Sequence, residues 1–131
     1  MEDNFKFEII SPEKIIFSDE EKMVTLPSYE GNMSILINHI SIITFLRPGK
    51  IKVKKDNESV EEFFVEDGTV EYFNDSLVVL SASVLNVKDL SKEFLDNLSK
   101  DTQDKLTQKD ISDHDRYVLN HKLDVLKEIR V

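Results

Sequence analysis

The feature that most constrains this chain is a change of hydrophobic period near residue 85. From Phe5 to Val84 the apolar residues come in short runs broken by turn formers, the pattern of successive strands joined by tight connections. Phe5, Phe7 and Ile9 alternate with Lys6, Glu8 and Ile10, so a first strand shows one aromatic and aliphatic face until Ser11-Pro12 stops it. Further runs lie at Ile15 to Phe17, Met23 to Leu26, Met33 to Ile37, Ile42 to Leu46, Ile51 to Val53, Val60 to Val65, Thr69 to Phe73 and Leu77 to Val84. Between them stand Pro48-Gly49, Asp56-Asn57, Asp67-Gly68 and Asn74-Asp75, all dipeptides that set or tolerate turn conformations. The spacing predicts an N-terminal antiparallel β-sandwich of about eight to ten strands over residues 1–86. No segment between the runs is long enough for a helical crossover, which disfavours a parallel βαβ arrangement.

Beyond Val84 the period becomes helical. Leu90, Phe94, Leu95 and Leu98 share a face, with Asp89 or Ser91 available as N-cap, and predict a helix from about Leu90 to Leu106 whose second half is polar. Ser112 and Asp115 make an [ST]-x-x-[DE] cap ahead of Val118, Leu119, Leu123, Val125, Leu126 and Ile129, predicting a second helix that reaches almost to Val131. Residues 87–131 thus read as a C-terminal antiparallel two-helix hairpin. Its shared seam is small, and isolated helices of this length are marginal, so the hairpin is expected to depend on the sandwich or on a partner and to be the part that moves.

Charge and composition narrow the function. The net charge of -9 opposes binding to phosphate backbones, which excludes nucleic acid as an expected partner. Residues 1–85 carry 8 basic and 16 acidic groups and residues 86–131 carry 9 and 10, so the body is acidic and the tail nearly balanced. Cysteine is absent, which removes disulfides, thiolate nucleophiles and cysteine-rich zinc sites. The acidic opening Met1-Glu2-Asp3-Asn4 is unlike a secretory or transit signal, and no apolar run has the length of a membrane span. The expectation is a protein that stays where it is made and meets a membrane only through a partner.

Catalytic chemistry finds little to work with. His39, His114 and His121 are the three histidines. His114 and His121 stand at i and i+7 on one helix face, without the i, i+4 spacing or third group that a metal needs, and read as a solvated polar face. Asp110, Asp113 and Asp115 lack the glycine and closing glutamate of a calcium loop. Three glycines in the chain provide no phosphate cradle and no nucleophile elbow. The adjacent pairs Glu20-Glu21 and Glu61-Glu62 point to opposite strand faces and share no site. No catalytic residue, metal or cofactor is expected. Composition alone fits a β-sandwich adaptor of some protein complex, and more remotely a small metal enzyme using the three histidines.

One stretch is more specific. Glu30-Gly31-Asn32 through His39 to Leu46-Arg47-Pro48-Gly49 resembles the segment E-G-x-x-G-x-x-P-x-H-x-P-x-x-x-x-L-x-P-G of epsilon subunits of the rotary ATP synthase, with the spacing of Gly31, His39, Leu46, Pro48 and Gly49 preserved. Phe7 to Glu13 resembles the opening strand and turn of that family, Phe64 to Glu71 its hydrophobic-x-x-G-G-x-x-E stretch, and Leu77 to Ala82 its last sandwich strand. Ser34, Ile37, Asn38 and Ser41 stand where the family often has Gly, Pro, Gly or Asn, and Pro, and the loss of proline stiffening predicts a more mobile loop before His39. Leu90-Ser91-Lys92-Glu93-Phe94-Leu95 stands where some members carry [IL]-D-x-x-R-A and bind ATP; without the Asp, Arg and Ala, nucleotide binding is expected to be weak or absent.

The resemblance implies a non-catalytic subunit at the foot of a central stalk. Tyr29, Glu30, Gly31 and Asn32 would meet the ring of c subunits, and Asn38, His39 and Ile40 would lie against gamma. The helical tail, with Lys122, Lys127 and Arg130, would reach the alpha and beta subunits and restrain ATP hydrolysis, although Asp124 and Glu128 offset those cations. With no transit-like opening, the expected setting is a bacterial ATP synthase on the cytoplasmic face of the inner membrane, with a plastid-encoded subunit as the lesser alternative.

Overall fold

A computed structural model describes residues 4–55 and 57–129, so Asp56 of the expected Asp56-Asn57 turn lies outside the described residues, as does Arg130. Ten strands follow one another: β1 (Phe5–Ile10), β2 (Ile15–Glu21), β3 (Met23–Ser28), β4 (Gly31–Ile35), β5 (Ile42–Leu46), β6 (Gly49–Lys54), β7 (Val60–Val65), β8 (Gly68–Phe73), β9 (Ser76–Leu80) and the short β10 (Leu85–Asn86). A 3-10 turn, Val87–Asp89, leads to α1 (Lys92–Leu106) and α2 (Asp113–Glu128).

The strands form one curled sheet in the order β10-β7-β6-β3-β5-β8-β9-β1-β2, with β4 attached to β3. The two ends of that path meet. Phe17 of β2 packs edge-on against Phe63 of β7, with ring centroids 5.4 Å apart, and Lys55 beyond β6 reaches Glu21 of β2 at 2.6 Å. Alternation in β1 sends Phe5, Phe7 and Ile9 inward, where they join Leu26, Ile35, Leu46, Ile51, Tyr72 and Leu77 in the main core.

In one respect the sheet departs from the antiparallel expectation, because β1 and β9 pair in parallel, Lys6 opposite Ser76 through Ile10 opposite Leu80. These strands are joined through the whole intervening sheet, so the parallel pair needs no dedicated crossover helix. The run Leu77 to Val84 also divides: β9 ends at Leu80, and β10 starts at Leu85 on β7.

The turn dipeptides serve different ends. Asn74 (φ 52°) and Asp75 (φ 60°) form the two-residue loop between β8 and β9, both left-handed as a type I′ hairpin requires. Pro48-Gly49 instead turns a corner from β5 to β6, which flank β3 on opposite sides. Gly49 has no left-handed φ; it is needed for room, since a Cβ there would stand 2.4 Å from Pro27 Cβ.

Ser91 and Ser112 cap the helices, accepting from the N–H groups of Phe94 (3.1 Å) and Asp115 (3.0 Å). α2 ends at Glu128, close to the expected end just before Val131, and Ile129 turns to extended backbone as it buries. Phe64, Leu95, Val125, Leu126 and Ile129 make a second core between sheet and helices. α1 buries just Leu95 and Thr102, in keeping with its polar second half.

Candidate functional site

Two surfaces of the sandwich, near opposite ends of β5, carry the residues singled out by the sequence. The first is the tip of the β3–β4 hairpin. Ser28 opposes Gly31, leaving Tyr29 and Glu30 as the loop, and the positive φ this demands falls on Gly31 at 118°. The Ser28 hydroxyl donates to the Gly31 carbonyl at 2.6 Å and accepts from the Glu30 N–H at 3.2 Å, which fixes the loop from within. Arg47 at the next corner donates to Asn32 Oδ1 at 3.3 Å, and the Tyr29 N–H reaches the Phe45 carbonyl at 3.3 Å. The acidic tip is therefore a braced projection with an exposed Glu30.

The second surface begins at Asn38, His39 and Ile40. Asn38 adopts φ 66° and donates its N–H to Asp75 Oδ1 at 3.1 Å, the same oxygen that accepts from the Tyr72 hydroxyl at 2.8 Å. Burial pushes the Tyr72 phenol up, and the hydrogen bond to Asp75 adds to that shift. His39 lies edge-on to Tyr72, and its Nδ1 is 2.7 Å from the Ile40 carbonyl, a contact that requires the proton on Nδ1. The β8–β9 turn thus holds a segment that lacks proline stiffening.

Ile40 starts an apolar strip on the outer face of the sheet. Ile40 is 76% exposed, Ile43 73%, Phe45 60% and Phe73 64%. Register carries the strip across five strands: Phe45 opposes Thr69, Thr69 opposes Leu80, Leu80 opposes Ile10, and Ile10 opposes Ile15. Side chains paired in this way share one face. Thr69 lies between Phe45 and Leu80 in that row and Glu71 beside Ile43, so the strip is a set of exposed apolar groups with polar residues between them, the kind of patch that marks an interaction surface.

At one end the strip opens into a groove of about 1020 Å³ whose walls include Tyr29, Phe45, Leu80, Asp67, His114 and Tyr117. The first turns of α2 overhang it. Tyr29 stacks near-parallel on His114 (centroids 6.3 Å) and on Tyr117 (6.0 Å), and Tyr117 meets His121 edge-on at 4.4 Å. Desolvation, then the neighbouring Tyr117 and Asp67, raise the Tyr29 pKa. His114 and His121 therefore flank an aromatic cluster rather than a purely solvated face. His39 stands beside Tyr72 instead, and among the described residues no group of three or more His, Cys, Asp or Glu side chains could hold a metal ion.

Residues 4–87 match the family described as "ATP synthase, Delta/Epsilon chain, beta-sandwich domain". An ATP synthase epsilon chain of Pelagibacter ubique is 42% identical, over 98% of this chain and 99% of its own length. That of Parvibaculum lavamentivorans is 33% identical over 99% and 98%. The chain belongs to the ATP synthase epsilon-chain family. Among solved structures, a chain of the Euglena gracilis mitochondrial ATP synthase, OSCP/F1/c-ring in rotational state 1, shares the fold with a TM-score of 0.76 at 13% identity, covering 97% of this chain and 79% of that one. A Tetrahymena thermophila mitochondrial ATP synthase central stalk/c-ring chain gives 0.61 at 12% identity, covering 94% and 93%.

Within this epsilon-chain framework the tail cations sit unequally. Lys122 is buried, its Nζ 2.8 Å from Glu66 Oε1 at the end of β7. Lys127 is exposed in the last turn of α2, beside Glu128, which lies 4.0 Å from Lys50. In the stretch aligned with the nucleotide motif, Ser91 occupies the Asp position and caps α1. Two features had no signal in the sequence reading: the outward role of Ile43 and Phe45, and the stack of Tyr29 on Tyr117. Both depend on which strands and helices lie side by side. No described helix is long and apolar enough to cross a membrane.

Proposed function

We propose that this chain is a non-catalytic central-stalk subunit of a proton-translocating ATP synthase, coupling rotation of the c-ring to ATP synthesis through two grips on the sandwich, residues 1–86. The braced tip Tyr29–Asn32 meets polar loops of the ring, where an exposed carboxylate suits basic partners and a fixed loop suits the transmission of torque. Asn38, His39 and Ile40, extended by the strip through Ile43 and Phe45, seat against gamma. The observation that carries this reading is that strip: exposed large apolar side chains on one outward face, including Ile43 and Phe45 of β5, which follows in the chain on the segment that the family resemblance assigns to gamma. Bacterial relatives named as ATP synthase epsilon chains support the setting, a peripheral place on the cytoplasmic face of the inner membrane reached through the ring. The helical tail, residues 87–131, is the movable part, and its release toward alpha and beta restrains hydrolysis.

Placing a charge in the strip tests the grip on gamma. Ile43→Asp and Phe45→Asp each remove an outward apolar group without touching the core, and each is expected to lower recovery of the chain with gamma by about tenfold or more, the effect of losing a central interface anchor. Circular dichroism checks that the fold persists. Unchanged recovery with an intact fold overturns the assignment of this face.

A further inference from the structure

We propose that the Lys122–Glu66 pair is the latch that holds the tail against the sandwich. This rests on the reading of residues 87–131 as a movable tail and adds the residue pair on which its release turns. A lysine is rarely buried on an amphipathic helix without a specific partner, and the Lys122 side chain is 6% exposed with Glu66 at 2.8 Å. Around it the α2–sheet contact is apolar, through Phe64, Val125, Leu126 and Ile129. Apolar contacts of this kind are non-directional and tolerate sliding, whereas an ammonium withdrawn from water tolerates only a position beside its carboxylate. Two other links of α2 among the described residues are looser: Lys50 to Glu128 spans 4.0 Å with Glu128 largely exposed, and Tyr29 stacks on two exposed rings. The pair sits midway between them along α2, so it fixes the register of the helix on the sheet.

Asymmetry of exposure gives the latch its direction. Glu66 is 40% exposed and stays solvated when the tail leaves, while Lys122 gains full hydration. Opening therefore leaves no buried charge behind on either side. In the docked state the Lys122 ammonium is occupied by Glu66.

The test uses the full chain and hydrogen exchange read separately over α1, α2 and the strands. Glu66→Gln leaves the Lys122 ammonium without its countercharge and is expected to speed exchange across α2 by about tenfold, a modest share of the cost of stranding a buried charge because Glu66 is partly solvated. The strands of the main core should keep their protection. Adding Lys122→Met to Glu66→Gln removes the stranded charge while keeping the side-chain bulk, and should restore slow exchange. Unchanged exchange in Glu66→Gln, equal acceleration in every strand, or a double variant as fast as the single one overturns the latch. ATP hydrolysis by the assembled enzyme carrying Glu66→Gln separates the two claims: a loosened tail with unaltered hydrolysis sinks the regulatory role of the tail and leaves the latch standing.

Discussion

Among single residues, Lys55 and Glu21 show how charge closes the sheet. Glu21 is 3% exposed, and its carboxyl pKa is raised by burial against the opposing pull of the Lys55 hydrogen bond. Burial works against the charge of Lys55 as well, but the hydrogen bond and the charges of Glu21, Glu61 and Asp19 outweigh it and raise its pKa. The signs differ in consequence. A raised lysine contributes stability below its unfolded value of 10.5 that is lost as pH rises through the folded value. A raised glutamate makes the folded state take up a proton before the unfolded chain does, so its charge costs stability above the folded pKa and ceases to cost it below. Lys55→Met should therefore destabilise the protein by about 2–3 kcal/mol at neutral pH, by leaving Glu21 charged and alone. The loss should shrink on acidification as Glu21 takes its proton. Urea midpoints at pH 7 and near pH 5 measure this, and an equal loss at both pH values would assign it to packing.

The elements differ in what holds them. Strands β1, β5, β8 and β9 are fixed by pairing on two sides, but α2 depends on its cap, one apolar face, the Lys122–Glu66 pair and the contacts of its first turns. Ser112 satisfies the Asp115 N–H, and His114 and Tyr117 follow directly against Tyr29. Ser112→Ala should cost about 1 kcal/mol locally, the usual worth of such a cap. It should appear as faster exchange at the Asp115 and Arg116 amides and weaker shielding of Tyr29, with the turn containing Lys122 unaffected. A change spread evenly from Asp113 to Glu128 would instead show that α2 opens as one unit.

As a whole molecule, the chain divides its stability unevenly. The main core from Phe5 to Val79 lies entirely within the strands, whereas the second core joins Phe64 of the sheet to Leu95, Val125, Leu126 and Ile129 of the helices. Removing residues 87–131 should leave a folded sandwich that still assembles with gamma while the hydrolysis rate of the complex changes. Phe64, buried beneath the tail, becomes exposed, so the truncated chain should be less soluble when free. Copurification with gamma and the ATPase rate of the complex read the two parts separately, and loss of gamma binding would place part of that grip in the tail.

Alternation in β1, the left-handed pair Asn74-Asp75, the change to helical spacing after residue 85 and the Ser112 cap were all legible in the sequence, because each is set by residues within one turn or one strand; the sequence leaves the first cap open between Asp89 and Ser91, and the structure places it at Ser91. The motif from Glu30 to Gly49 pointed to the family because its residue types and spacing are read directly along the chain. Tertiary structure alone decided that β1 lies parallel to β9, that Gly49 is small to admit Pro27, and that Pro48-Gly49 turns a corner rather than a hairpin. It also decided that Ile43 and Phe45 face outward on the same face as Leu80, that Tyr29 stacks on Tyr117, and that Lys122 is spent on Glu66. Alternation states that a strand has two faces but not which neighbour will cover the outer one. A lysine on an amphipathic helix shows its charge but not its partner. Those facts belong to pairs of residues far apart in the chain, and closing the sheet and laying the tail across it brings them together.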